Sequence, residues 1–109
     1  MSGAGGNPWA GEVPLVVDGE RHAMRLTLGA LAELEAGMEA EGLIDLVARF
    51  EDGRFRARDV IAVLVAGLRG GGWDGGAEAL MAARIEGGPA GAVSAAARLL
   101  ARGFALPER

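Results

Sequence analysis

From Glu12 the chain alternates. Val13, Leu15 and Val17 fall on one parity and Glu12, Pro14 and Val16 on the other. After Asp18-Gly19 the alternation resumes, with His22, Met24 and Leu26 set against Arg21, Ala23 and Arg25. A period of two puts each set on one face of a strand. Asp-Gly tolerates the positive φ angles of a two-residue turn, so residues 12–27 read as a β-hairpin. Pro14 has no N–H for a ladder and is expected on an edge strand, or on the unpaired side of its position. A lone hairpin is marginal in water, so its apolar face needs a cover.

Beyond Leu26 the period lengthens to that of a helix. Thr27 is placed as an N-cap, with Leu26 and Leu31 at hydrophobic-staple spacing, and loss of the cap would cost about 1 kcal/mol. Leu28, Leu31, Leu34 or Glu35, and Met38 trace the apolar stripe, Glu33, Glu39 and Glu41 make the other side acidic, and Gly42 ends or bends the segment. Leu43, Val47 and Phe50, with Ile44 and Leu46 beside them, predict a second helix that Gly53 closes. A third begins near Ala57. Phe55 and Val60 sit at staple spacing and Asp59 lies in the first turn, where the helix dipole favours it, although Arg56 is a poor cap. From Val60 to Leu68 every side of this helix is apolar, a pattern of central burial or of a second face offered to a partner.

The glycines from Gly70 to Gly76, around Trp73, break the periodicity and read as a flexible linker. Asp74 is placed to cap a fourth helix carrying Leu80, Met81 and Ile85, closed by Gly87 and Gly88. Pro89 suits the first turn of a fifth, whose inner face reads Val93, Ala96, Ala97, Leu100 and Phe104, with Pro107 ending it. The expected fold is α+β, an N-terminal β-hairpin packed on a bundle of four to five short α-helices. It forms a single domain over 12–107, with the hairpin at 12–27 and the helices at 28–106. A Gly-rich lead-in at 1–11 precedes it, with Trp9 its one sticky side chain.

Composition narrows the function more than the fold. A chain of 109 residues supports one core that buries roughly two thirds of the unfolded surface. Eleven basic residues, all arginine, against 15 acidic ones give a net charge of −4, so nucleic acid is not an expected partner. The absence of cysteine excludes disulfides and thiolate-ligated zinc and fits a reducing compartment, so the cytoplasm is the expected location. The apolar run from Val60 to Leu68 is far short of the roughly 18 residues of a membrane span, and no secretory signal is legible at the N-terminus. No membrane association is expected.

Reactive side chains are scarce. Cys, Lys, Tyr and Gln are absent, the hydroxyls are Ser2, Thr27 and Ser94, and His22 is the single imidazole. A nucleophile, base and orienting group would have to converge from these, so no catalytic residue is assigned and an enzyme is not expected. One histidine without cysteine cannot supply a zinc site, Glu51-Asp52-Gly53 does not match a calcium loop, and a Walker loop needs a lysine. Neither metal nor cofactor is expected. Arg69 beside the glycines forms one RGG-like unit, too little for an RNA-binding tail. Glu33, Glu35, Glu39, Glu41 and Asp45 precede Arg49, Arg54, Arg56 and Arg58, either as solvated helix faces or as a complementary docking surface.

Four segments together resemble one family: Asn7-Pro8-Trp9-Ala10-Gly11-Glu12-Val13, Val17-Asp18-Gly19-Glu20, Leu26-Thr27-Leu28-Gly29-Ala30-Leu31-Ala32-Glu33-Leu34-Glu35, and Gly67-Leu68-Arg69-Gly70-Gly71-Gly72. They are similar to the gene transfer agent tail proteins of alphaproteobacteria, encoded between the major tail protein and the tape measure. The resemblance implies a non-enzymatic role in a phage-like tail, with the tape-measure protein, other tail proteins and a second copy of the chain as potential partners, and incorporation in the particle as one possible location. Two roles stay open within it: a tail assembly chaperone that coats the tape measure, and a structural tail tube or tail-completion subunit. A tube subunit needs enough strand to close a β-ring, and one hairpin is little, so the chaperone is the expectation. Its expected partner-binding residues are Leu43, Val47 and Phe50, together with Val60, Leu64 and Leu68 of the all-apolar helix. Two or more further strands, especially after Gly53, would favour the tube.

Overall fold

Strands β1 (Val13–Val17) and β2 (Glu20–Met24) pair antiparallel, in register from Val13 opposite Met24 to Val17 opposite Glu20. The turn places Asp18 at φ 52° and Gly19 at φ 83°, the left-handed pair that a two-residue hairpin of this twist requires. Val13, Leu15, Val17 and Met24 are buried and Pro14 is exposed, so the alternation holds on both strands. A computed structural model describes residues 12–38 and 42–104 of the chain. The lead-in at 1–11, Glu39, Glu41 and Pro107 lie outside the described residues.

Hydrogen-bonded and non-bonded pairs alternate away from a two-residue turn, so Pro14 and Val16 direct their backbone groups away from β2. On that outer edge the Val16 carbonyl accepts the Glu86 N–H at 3.1 Å, and the Asp18 N–H donates to the Arg84 carbonyl at 2.8 Å. A bridge between Val17 and Ile85 results. Pro14 thus sits on the unpaired side, where its missing N–H breaks no ladder. Ile85 was expected in the fourth helix, but that helix, α4, spans only Ala77–Ala82. Gly76, not Asp74, holds its cap position.

Helix α1 (Leu28–Ala36) begins at the expected cap, where Thr27 Oγ1 accepts the Ala30 N–H at 3.0 Å. It ends at Gly37, one turn before Gly42. Its buried residues are Ala30 and Leu34, whereas Leu28, expected on the inner stripe, is 85% exposed. Helical side chains lean toward the N-terminus, and at the first helical position no preceding turn lies beneath Leu28. Helix α2 (Leu43–Asp52) closes at Gly53 in the left-handed conformation, as expected. In α5 (Gly88–Gly103), Pro89 occupies the first turn. Its buried face is Ala95, Ala96, Leu99 and Leu100; Val93 and Phe104 are half-buried and Ala97 is exposed, a rotation of the expected stripe.

The all-apolar helix α3 (Ala57–Gly70) packs against α1, α4, α5 and β2, which accounts for its unstriped sequence. The segment beyond it is not a linker. Gly67 accepts the Arg25 N–H at 2.9 Å through its carbonyl, and Trp73 turns back to donate its N–H to the Leu68 carbonyl at 2.9 Å. Trp73 packs against the core. A Cβ at Gly70 or Gly71 would overlap the carbonyl oxygens of Arg25 and Ala23, so these glycines let the end of α3 lie directly on the hairpin backbone.

Gly71→Ala is therefore expected to destabilise the domain by about 1–3 kcal/mol, the range for overpacking a tight contact. Gly29→Ala, whose new Cβ would meet only Thr27 Oγ1 at 3.9 Å, should stabilise α1 by about 0.5 kcal/mol. Urea denaturation of the two variants checks the opposite signs.

Candidate protein-binding surface

Helix α2 carries more apolar surface than the core covers. Leu46 is fully buried and anchors the inner side, Leu43, Val47 and Phe50 are half-buried beside it, and Ile44 is 82% exposed at the outer margin. At 100° per residue, Leu46, Phe50, Leu43, Val47 and Ile44 follow one another around the helix, so burial fades across a continuous apolar stripe. Phe50 stacks on Phe55 with ring centroids 4.8 Å apart, which fixes the end of the stripe against the turn into α3.

An ion pair holds α2 in this orientation. Arg49 and Asp59 are both buried. Arg49 Nη2 donates to Asp59 Oδ1 at 3.0 Å and Arg49 Nε lies 3.4 Å from Asp59 Oδ2, while Nη1 reaches Asp45 at 2.6 Å. Asp59 Oδ2 also accepts the Arg56 backbone N–H at 2.8 Å, the carboxylate half of a capping box whose other half the donor-only Arg56 side chain cannot supply. Burial by itself would raise the pKa of Asp59, but the Arg56 N–H and the Arg49 guanidinium outweigh it and hold the carboxyl below its ordinary value of 3.8. Sequence reading placed Asp59 in the first turn and Arg49 in a basic run. It missed their pairing because nothing local marks two charges on separate helices as neighbours.

The structure separates the expected partner-binding residues into two groups. Leu43, Val47 and Phe50 come together on α2, partly open. Val60, Leu64 and Leu68 share one side of α3 but are buried in the core, which corrects their expected place on a surface. Four elements pack against α3.

Part of the charge run is taken up in ion pairs. Glu33 receives Arg69 at 3.0 and 3.3 Å, and Arg54 pairs with Asp52 at 3.0 Å. With Arg49 buried, the basic stretch from Arg49 to Arg58 is not one continuous docking face. His22 is partly covered at the hairpin rim, 4.0 Å from Glu20. Ser94 lines a cleft between β1 and α5 that His22 does not line. Among the described residues no group of three or more His, Asp and Glu side chains could hold a metal ion, and no helix is long and apolar enough to cross a membrane.

In class, this is a small α+β domain with a partly open apolar stripe on α2. The chain belongs to the gene transfer agent tail family: residues 10–106 match the family model described as "Phage tail tube protein, GTA-gp10". It is thus a phage-like tail protein, and other tail proteins are its class of partner. No curated protein and no solved structure matches the chain.

The lowered pKa of Asp59 ties stability to acid. A carboxyl with a depressed folded pKa contributes stability that is fully present above the unfolded value of 3.8 and is lost as pH falls through the lower folded value. Asp59→Asn should therefore flatten the loss of stability expected of the parent below about pH 4. Asp59→Ala, which removes both Asp59 contacts of the buried Arg49 guanidinium, should cost about 3 kcal/mol at neutral pH. Urea denaturation midpoints between pH 2 and 7 check both.

Proposed function

We propose that this tail protein acts as an assembly chaperone that holds apolar segments of the tape-measure protein until the tube forms around them. The observation that carries this reading is strand content. The described residues form a two-stranded sheet and one isolated bridge, whereas a subunit that closes a β-ring has to supply strands with edges that continue from copy to copy. The contact surface in this reading is the open margin of α2, with Leu43, Ile44 and Val47 as contacts and Phe50 as its fixed end. An amphipathic or extended apolar segment would bury area there that α2 now shows to water.

The family's description as a tail tube protein supports a second reading, a structural tube or tail-completion subunit. Mass spectrometry of purified particles separates the two. A structural subunit stays in the particle at stoichiometric abundance, and a chaperone is absent or present in trace.

Co-expression with a tape-measure fragment is expected to keep that fragment soluble; aggregation equal to that of the fragment alone would defeat the chaperone reading. Ile44→Glu should weaken the complex by roughly tenfold, the effect of about 1.4 kcal/mol. Because Ile44 is largely exposed, the same change should alter stability by less than about 0.5 kcal/mol.

A further inference from the structure

Helix α5 packs beside β1 and is tied to its outer edge at both ends. At one end the Arg102 guanidinium donates to the Glu12 carbonyl at 3.2 Å, and at the other the Glu86 N–H reaches the Val16 carbonyl. Between these ties lies a groove of about 280 Å³, walled by Pro14, Leu15 and Val16 on one side and by Gly91, Ser94 and Ala95 on the other. Small residues at Gly91, Ser94 and Ala95, on one face of α5, keep the helix wall low. Arg21 and Arg98 complete the lining with Glu86. Both arginines are exposed, and neither has an ion pair among the described residues.

We propose that this groove takes a short, extended, carboxylate-bearing segment of a partner protein, which pairs with the free part of the β1 edge and places its acid between Arg21 and Arg98. The donors decide the chemistry. Val16 directs its N–H outward, Ser94 offers a hydroxyl, and two guanidiniums stand against the single carboxylate of Glu86, so the groove presents donors and one net positive charge on a chain whose net charge is −4. The strand edge sets the shape, because β-strand addition reads an extended backbone through main-chain hydrogen bonds. Pro14 limits the pairing to the Val16 end, since it has no N–H to give. The volume lies just below the ~300 Å³ at which small-ligand clefts begin, which suits an anchoring stretch rather than a whole ligand. This inference does not rest on the tape-measure reading, which concerns the α2 stripe.

The test is an NMR titration of the isotope-labelled full chain with an acetylated, amidated heptapeptide of alternating valine and glutamate, and with its valine–lysine counterpart. The glutamate peptide should shift the Val16 amide and the Arg21 and Arg98 side-chain resonances and slow hydrogen exchange at Val16. Its binding should weaken as salt rises. Arg21→Gln with Arg98→Gln should weaken binding several-fold, and Arg21→Glu with Arg98→Glu by about tenfold or more, in line with two exposed ion pairs removed and then reversed. Circular dichroism of these surface variants should match the parent. Equal binding of the two peptides, survival of binding in the charge-reversed variant, or shifts centred on α2 would overturn the proposal. Sedimentation showing self-association through Arg21 and Arg98 would also overturn it, and would make a second copy the occupant.

Discussion

The close seat of α3 on the hairpin governs the rest of the structure. A two-stranded sheet has one apolar face and too few pairs to stand in water by itself. Here the missing support is a helix brought near enough for backbone to meet backbone. The Arg25 N–H donates to the Gly67 carbonyl, and Gly70 and Gly71 admit the carbonyls of Arg25 and Ala23 where any side chain would collide. With α3 fixed there, its outer sides remain apolar, so α1, α4 and α5 must cover them. The unstriped run from Val60 to Leu68 follows from that position.

The same packing decides which apolar residues are left for function. With Val60, Leu64 and Leu68 enclosed, α2 keeps an open apolar margin while it is attached by Leu46, by the Arg49–Asp59 pair and by half-buried Leu43, Val47 and Phe50 against the core. A buried ion pair adds little net stability over a hydrophobic one, because desolvation offsets the attraction. It does fix orientation, since the guanidinium fork and the carboxylate meet in one geometry. In α2 that orientation turns Leu46 inward and leaves Ile44 toward solvent, with Val47 half-covered between them. The stripe belongs to the architecture and needs no loop rearrangement to appear.

Much of this was legible in the chain wherever the signal was local. Asp18-Gly19 set the turn, Thr27 set the start of α1, and Gly53 set the end of α2, each through the dihedral or the hydrogen bond of one residue. Facing was harder. Leu28 fits a helical stripe by spacing but stands at the first helical position, where nothing lies beneath it. The buried face of α5 is rotated toward Ala95 and Leu99 because the Ala-rich sequence carries little periodic contrast. Long-range pairs left no local trace: Ile85 reads as the end of a helix until Val17 is beside it, and Arg49 reads as part of a surface run until Asp59 faces it. The glycines at 70 and 71 were the most misleading, because a linker and a tight backbone contact call for the same residue. At the candidate surface, the α2 half was readable from its stripe. The α3 half was not, since an all-apolar helix says that it is buried or bound without saying which.

The central claim is that a tail protein of this family offers the outer margin of α2, and not its α3 core, to the tape measure. Hydrogen–deuterium exchange of the full chain with and without a soluble tape-measure fragment tests it most directly. The account predicts added protection across Leu43–Asp52 on binding, with exchange in Ala57–Gly70 unchanged. Protection confined to the hairpin or α5, or exchange in α3 that rises as the helix opens to receive the fragment, would contradict it.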